Sequence, residues 1–200
     1  MKLEEIHDYW KNPYDGHNTL EDYMEKEITI RRSKLILSIF NKFGIDKDKS
    51  ILELGCNIGR NLNFLYKNDY KNLTGIDIRK EAIDTLKIIY PEMGTNIELY
   101  VSPIENIIGD LSDYDIIFTL AVLEHIHTDS EWIFKKIYNL TKDKLILIED
   151  EKRLSWRHYP RQYKDIFESY GMKQMYEYNC SEEDGLDNNF YVRVFEKVKI

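Results

Sequence analysis

From Ser50 to Asp150 the chain switches repeatedly between short apolar runs and helical spacing. The segments "ILEL", "NLTGID", "NIELYV", "DYDIIFTL" and "KLILIED" read as strands. "NLNFLYKN", "RKEAIDTLKIIY" and "SEWIFKKIYNL" read as helices between them, the second stopped by Pro91. Strands alternating with helices specify an α/β fold: a doubly wound, mostly parallel sheet with helices on both faces. "PRQYKDIFESYG" then predicts a helix ending at Gly171, and "MKQMYEY" and "NFYVRVFEKV" bring the expected sheet to seven strands. Their connection, "NCSEEDGLDN", is too short and polar for a crossover helix. The last two strands should therefore pair as an antiparallel hairpin at one edge, at the C-terminus. Ligands of such sheets bind at the carboxyl ends of the strands, where strand order reverses.

A chain of 200 residues suits one domain with a full core. Residues 1–45 are expected to act as an N-terminal arm and helix forming a lid, 46–150 as a cofactor-binding core, and 151–200 as a substrate segment, helix and edge hairpin. Within the first part, residues 1–18 contain Pro13 and Gly16 and read as irregular. Thr19 caps a helix, with Asp22 three positions on. Ile28, Leu35, Ile36, Ile39, Phe40 and Phe43 carry it at helical spacing to Gly44. The net charge of −8 argues against unaided nucleic-acid binding, which needs a basic footprint. The apolar runs are too short to span a membrane. "MKLEEIHDYWKNPY" lacks the apolar centre of a signal peptide. With two cysteines only, Cys56 and Cys180, the expectation is a cytoplasmic protein with reduced thiols. Oligomeric state stays open.

The loop "SILELGCNIGRN" carries Gly55 and Gly59 after the first strand. A phosphate-binding loop needs Gly-Lys-Ser/Thr after its second glycine, but Arg60 and Asn61 follow here. A dinucleotide fingerprint needs G-x-G-x-x-G, and Asn57 stands at the second glycine. Asparagine tolerates left-handed backbone, so the turn survives while close approach of a pyrophosphate is hindered. Glu53 adds an electrostatic objection to phosphate and suits an ammonium or sulfonium ligand. S-adenosylmethionine carries both charges, a ribose diol and an adenine. The diol predicts a carboxylate at the end of the second strand, and Asp77 is there in "TGID".

On these residues the chain resembles the class I S-adenosylmethionine-dependent methyltransferases from about Ser50 to Asp150. "ILELGCNIGRN" is similar to the family's first motif and "LTGIDI" to its second. "DYDIIFTLAVLEHI" is similar to the fourth-strand motif of the small-molecule subgroup, down to Leu123-Glu124-His125. The resemblance implies a Rossmann-like methyltransferase fold, with S-adenosylmethionine as cofactor and S-adenosylhomocysteine as product. It implies donor contacts from Glu53, Gly55, Cys56, Asn57, Gly59, Asn61, Asp77, Ile78 and Leu120. Two departures stand out: Asn57 replaces a common glycine, and Ser102-Pro103 replaces an aspartate that often binds the adenine amino group. Adenine then falls to Ser102, the Ile104 N–H or Glu105. The spelling "LELG-NIG-NL" also resembles methyltransferases found with nonulosonic-acid sugar pathways.

Methyl transfer from a sulfonium mainly requires a positioned acceptor. A base is needed only where the acceptor must lose a proton. His125, in "LEHIHTD", is the candidate base, with His127 beside it. A metal set of His125, His127, Glu149 and Asp150 has no distinctive spacing, and no metal is expected. "EDEKRLSWRHYPRQY" places Arg153, Trp156, Arg157, His158, Tyr159 and Arg161 within nine residues, facing the donor methyl. Arginines among aromatics suit an anionic or planar polar substrate. Tyr9, Trp10, Tyr14 and His17 of the arm are expected to close over it, excluding water. The expected activity is methylation, at oxygen or nitrogen, of a small anionic or sugar-like metabolite. The alternatives are a methyltransferase acting on RNA or protein, a cofactor-binding protein without catalysis, or a nucleotide-binding oxidoreductase.

Overall fold

A computed structural model describes residues 2–198; Met1, Lys199 and Ile200, which the single-domain reading includes, lie outside the described residues. The strands are β1 (Ile51–Leu54), β2 (Leu73–Asp77), β3 (Glu98–Val101), β4 (Tyr114–Leu120), β5 (Thr141–Asp150), β6 (Met172–Asn179) and β7 (Phe190–Lys197). They form one seven-stranded sheet in the order β3-β2-β1-β4-β5-β7-β6. The first five are mutually parallel. β7 runs antiparallel between β5 and β6, so the C-terminal hairpin takes one edge as its polar connection requires. This is the Rossmann-like methyltransferase fold.

Both faces are covered, and side-chain alternation divides the strands between them. Ile51, Ile116, Phe118, Ile146 and Val192 point to one face. There they meet Ile36, Ile39 and Phe40 of α3 (Glu27–Lys42), Leu62 and Leu65 of α4 (Arg60–Lys67), and Ile83 and Leu86 of α5 (Lys80–Ile89). Leu52, Leu54, Ile117, Leu145 and Leu147 point to the other. They pack on Ile104 of α7 (Ile104–Ile107), on Ile133, Phe134 and Ile137 of α8 (Trp132–Leu140), and on Phe167 of α9 (Tyr163–Ser169).

Four local expectations are corrected. Residues 1–18 are not all irregular: Leu3–Lys11 form helix α1, which buries Ile6 and Tyr9 on one stripe. The helix capped by Thr19 does not run on to Gly44. It stops after one turn, α2 (Leu20–Tyr23), and α3 starts afresh at Glu27. The Thr29 hydroxyl lies 2.7 Å from the Met24 carbonyl and 2.9 Å from that of Lys26, stabilising the break. Pro91 ends α5 and also opens α6 (Pro91–Asn96), because its missing N–H costs nothing at a first helical position. α9 begins at Tyr163 rather than Pro160, because Arg161 is bound elsewhere. Among the described residues no helix is long and apolar enough to cross a membrane.

Strand order reverses between β1 and β4. Everything that follows stands over the carboxyl ends of these two strands and of β2.

Candidate active site

The turn after β1 is left-handed at three positions, with φ of 71° at Gly55, 48° at Asn57 and 71° at Gly59. A Cβ on Gly55 would stand 2.4 Å from Val122 Cγ2, and one on Gly59 would stand 2.3 Å from Leu86 Cδ1. Both glycines are thus required by backbone and by space. Asn57 holds its turn by accepting a hydrogen bond from the Ile58 N–H through Oδ1, at 2.8 Å. The asparagine substitution therefore preserves the loop.

Asp77 fastens the loop to the end of β2. Its Oδ2 accepts from Asn57 N at 2.8 Å and its Oδ1 from Arg79 N at 2.8 Å. Each oxygen keeps a further lone pair. Burial raises the Asp77 carboxyl, and the two N–H groups oppose that rise.

Glu53 departs from the expected arrangement. It lies beneath the cavity floor, not at its mouth, and it is not among the lining residues. Asn61 intervenes: its Nδ2 donates to Glu53 Oε1 at 2.7 Å, and its Oδ1 accepts from Ser33 Oγ at 2.8 Å. Arg60 adds bonds to Ser33 Oγ and to the Tyr23 carbonyl. Glu53 Oε2 has no partner, and burial pushes the carboxyl up to about 8. The pair Glu53–Asn61 presents a polar amide to the cavity while keeping the acid below it.

The cavity encloses about 1150 Å³ and runs from these loops to the arm. Of the expected donor residues, Gly55, Cys56, Asn57, Asn61, Asp77, Ile78, Ser102, Ile104 and Leu120 line it; Gly59 does not. Ser102 Oγ lies 2.9 Å from the Pro103 carbonyl, so its hydroxyl proton is directed there. Glu105 also lines the cavity, where its Oε1 pairs with His7 Nε2 of α1 at 3.1 Å. Burial raises the Cys56 thiol well above its ordinary range, leaving it inert.

At the other end, the chain after β4 turns through Ala121, a left-handed residue with φ of 57°. Glu149 on β5 receives that turn. Its carboxylate accepts from Thr119 Oγ1 at 2.5 Å, Val122 N at 2.9 Å and Glu124 N at 3.2 Å. His125, His158, Arg153 and Arg157 line this end together with Glu124 and Trp10. The Trp10 ring lies 4.4 Å from that of His125, and its Nε1 is buried without a partner. His125 Nδ1 faces the Arg157 carbonyl at 2.7 Å and must donate to it, so the Nε2 lone pair faces inward. Burial drives His125 down to about 3. A neutral imidazole so far from its ordinary range is a weak proton acceptor near pH 7.

The remaining expected substrate residues are dispersed. Tyr14 is 77% exposed, Trp156 is 41% exposed, and neither lines the cavity. His127 lies outside it as well, accepting from Asp129 N at 3.1 Å. Arg161 turns away from the site and clamps the Leu123 and Ile126 carbonyls at 3.1 and 2.6 Å. Arg153 pairs with Asp187 at 2.9 Å, and Arg157 pairs with Asp15 of the arm at 3.0 Å. The glycine loop, Asp77, Glu105 and, from the arm, Trp10 and His17 thus come together as expected, whereas Glu124, Arg60 and His7 are additions that the sequence did not suggest.

The donor suits what these residues offer: two Asp77 oxygens that each accept one backbone N–H and keep a lone pair, a glycine turn with Asn57 at its centre, and a cavity that both line. Residues 51–144 match the family model described as a methyltransferase domain. That segment, a little under half of the chain, is similar to a methyltransferase domain, and the site above it suits S-adenosylmethionine as methyl donor. No curated protein matches the chain. A crystal structure of magnesium protoporphyrin IX methyltransferase (ChlM) from Synechocystis PCC 6803 with bound SAH is similar, with 15% identity and a TM-score of 0.77 over 98% of this chain and 100% of that one. A TehB-like SAM-dependent methyltransferase from Corynebacterium glutamicum is similar at 18% identity and TM-score 0.66, over 98% of each chain. The [4+2]-cyclase SpnF is similar at 11% identity and TM-score 0.67, over 82% of this chain and 81% of that one. At such identities the likeness is one of fold.

Proposed function

We propose that the protein methylates a small polar metabolite, anionic or sugar-like, at oxygen or nitrogen. The observation that carries this reading is the roof over the acceptor end. Helix α1 crosses it, with Trp10 tilted against His125 and with Tyr9 and, just beyond the helix, Asp15 tied to Arg157. Such a space takes a compact acceptor. S-adenosylmethionine, when bound, supplies an electrophilic methyl group. Asp77 orients the donor by accepting from its ribose hydroxyls, and Asn61 offers its amide above Glu53. Glu53 is a positioning residue that acts through Asn61. Trp10 Nε1 is free to donate to an oxygen of the acceptor. Arg157 and Arg153 bring positive charge to the rim, each moderated by an aspartate. The arm excludes water from the transfer.

The test is incubation of the protein with donor labelled in the methyl group and with fractionated metabolite, RNA and protein pools. Label is expected in the small-molecule fraction, and in its anionic or sugar portion. Label confined to RNA or protein would reject this reading in favour of a macromolecular acceptor. Calorimetric titration with S-adenosylmethionine and with NAD checks the cofactor separately; only the former should bind.

A further inference from the structure

We infer that Glu124, His125 and His158 form a site for one divalent transition-metal ion at the acceptor end of the cavity. One donor atom from each residue lies within 4.8 Å of the other two. His125 Nε2 stands 3.4 Å from Glu124 Oε1, and His158 Nε2 stands 3.9 Å from the same oxygen. Ligands held at bond lengths of about 2.0–2.2 Å around one ion are separated by roughly 3–3.5 Å. Both imidazoles thus stand at or near ligand spacing from Glu124, and closing on an ion requires the two rings, with donor atoms up to 4.8 Å apart, to draw together.

Their other polar atoms are already engaged, as ligands oriented from behind require. His125 Nδ1 donates to the Arg157 carbonyl at 2.7 Å. His158 Nδ1 sits 2.6 Å from Ser155 Oγ, and donation there leaves Nε2 unprotonated. Glu124 Oε2 accepts from the Asp150 N–H. The loop that carries His158 is fixed as well: Ser155 and His158 pair through their backbones, and Tyr159 N donates to the Glu124 carbonyl at 2.8 Å. Three inward atoms and three anchored outer atoms make a built site.

The surrounding charge suits a cation. Glu149 and Asp150 lie directly behind Glu124; the nearby Arg153 is held between Asp150, at 3.5 Å, and Asp187, and Arg157 pairs with Asp15. Two imidazoles with one carboxylate favour ions from manganese to zinc over magnesium and calcium, which prefer oxygen alone. All three ligands line the cavity, so the open coordination positions face it. They would take oxygen donors of the acceptor. This narrows the acceptor class to molecules with two adjacent oxygens, such as a vicinal diol or a hydroxy acid. That narrowing rests on the methyltransferase reading of the cavity; the binding of the ion does not.

The experiment uses the whole chain, stripped by a chelator and titrated with cobalt(II) without methyl donor or acceptor. Calorimetry and visible absorption are read together. One equivalent should bind with the absorption bands of a protein-ligated ion. Glu124→Gln, which keeps an acceptor for the Asp150 N–H, and His158→Asn should each weaken binding by about tenfold or more. Wild-type protein that binds no cobalt, or variants that bind it equally well, would overturn the site and return the three groups to mutual hydrogen bonding. Should a variant fail to fold, X-ray absorption of the wild-type cobalt complex decides. Two imidazoles in the shell support the site; a shell of water alone rejects it. Donor binding is measured separately, so loss of the metal site and loss of the methyltransferase reading give different results.

Discussion

Trp10 of helix α1 lies tilted at 46° against His125, with ring centroids 4.4 Å apart, and so forms one wall of the acceptor end. Its indole N–H is the buried donor left over on that wall. Trp10→Phe keeps an aromatic wall and removes the donor. With a verified acceptor, KM should rise by about fivefold to tenfold, the worth of one hydrogen bond of ~1 kcal/mol. Donor affinity should not move. An unchanged KM would place the acceptor elsewhere.

Asp77 is the contact proposed for the donor's ribose. Asp77→Ala removes the acceptor of both hydroxyls and also releases the Asn57 and Arg79 N–H groups. Each unpaired group costs ~1–3 kcal/mol. Calorimetry with S-adenosylmethionine should show affinity reduced by about tenfold or more. Retained affinity would remove Asp77 from the donor site.

Gly59 combines a left-handed φ of 71° with Leu86 Cδ1 2.3 Å from any added Cβ. Gly59→Ala should lose ~1–3 kcal/mol from strain and overpacking, seen as a lower midpoint in denaturant. Gly109 has nothing within 4 Å of an added Cβ. Gly109→Ala should leave that midpoint within ~0.5 kcal/mol of the wild type. Equal effects at the two positions would contradict the packing of α5 beneath the loop.

Glu53 predicts a pH dependence in the protein without ligand. Burial holds its carboxyl at about 8 against an ordinary 4.5, so the fold favours the protonated acid. Between those values the unfolded chain binds fewer protons than the folded one, and stability falls as pH rises. The contribution is complete below about 4.5 and is lost through about 8. Glu53→Gln cannot ionise and still accepts from Asn61. Its stability should match the wild type at the acid end and exceed it at the alkaline end, by on the order of 1 kcal/mol or more. Parallel melting curves across that range would refute the shift.

The sheet was legible because each central strand is a short apolar run buried on both faces, as at Ile51–Leu54 and Ile116–Phe118. Asp77 and the glycine turn were legible because strand ends converge in this topology. Glu53 lies below the cavity rather than against the donor, and alternation along β1 dictates this by setting it on the face of Ile51, beneath α4. Helix α1 was hidden: Pro13 and Gly16 suggest an irregular arm, and its buried stripe is only Ile6 and Tyr9. Arg161 shows the limit of linear proximity. It stands four residues from Arg157, yet its guanidinium is committed to carbonyls of the turn after β4. Glu124 and His158 are far apart in sequence and meet through a loop whose course no local pattern encodes.

β7 follows β6 in sequence yet sits inside the sheet, not at its edge. Its residues Val192 and Val194 are fully buried, flanked by β5 on one side and β6 on the other. During synthesis β5 would emerge with a bare edge and β6 with no neighbour, until β7 slides between them. Closure of the β5 side of the sheet therefore waits for the strand that follows β6 in sequence. Glu149 and Asp150 stand on β5 opposite Tyr191 and Phe190. The wall behind the acceptor end is thus completed by a strand remote in sequence, and a chain cut before β7 would carry no competent site.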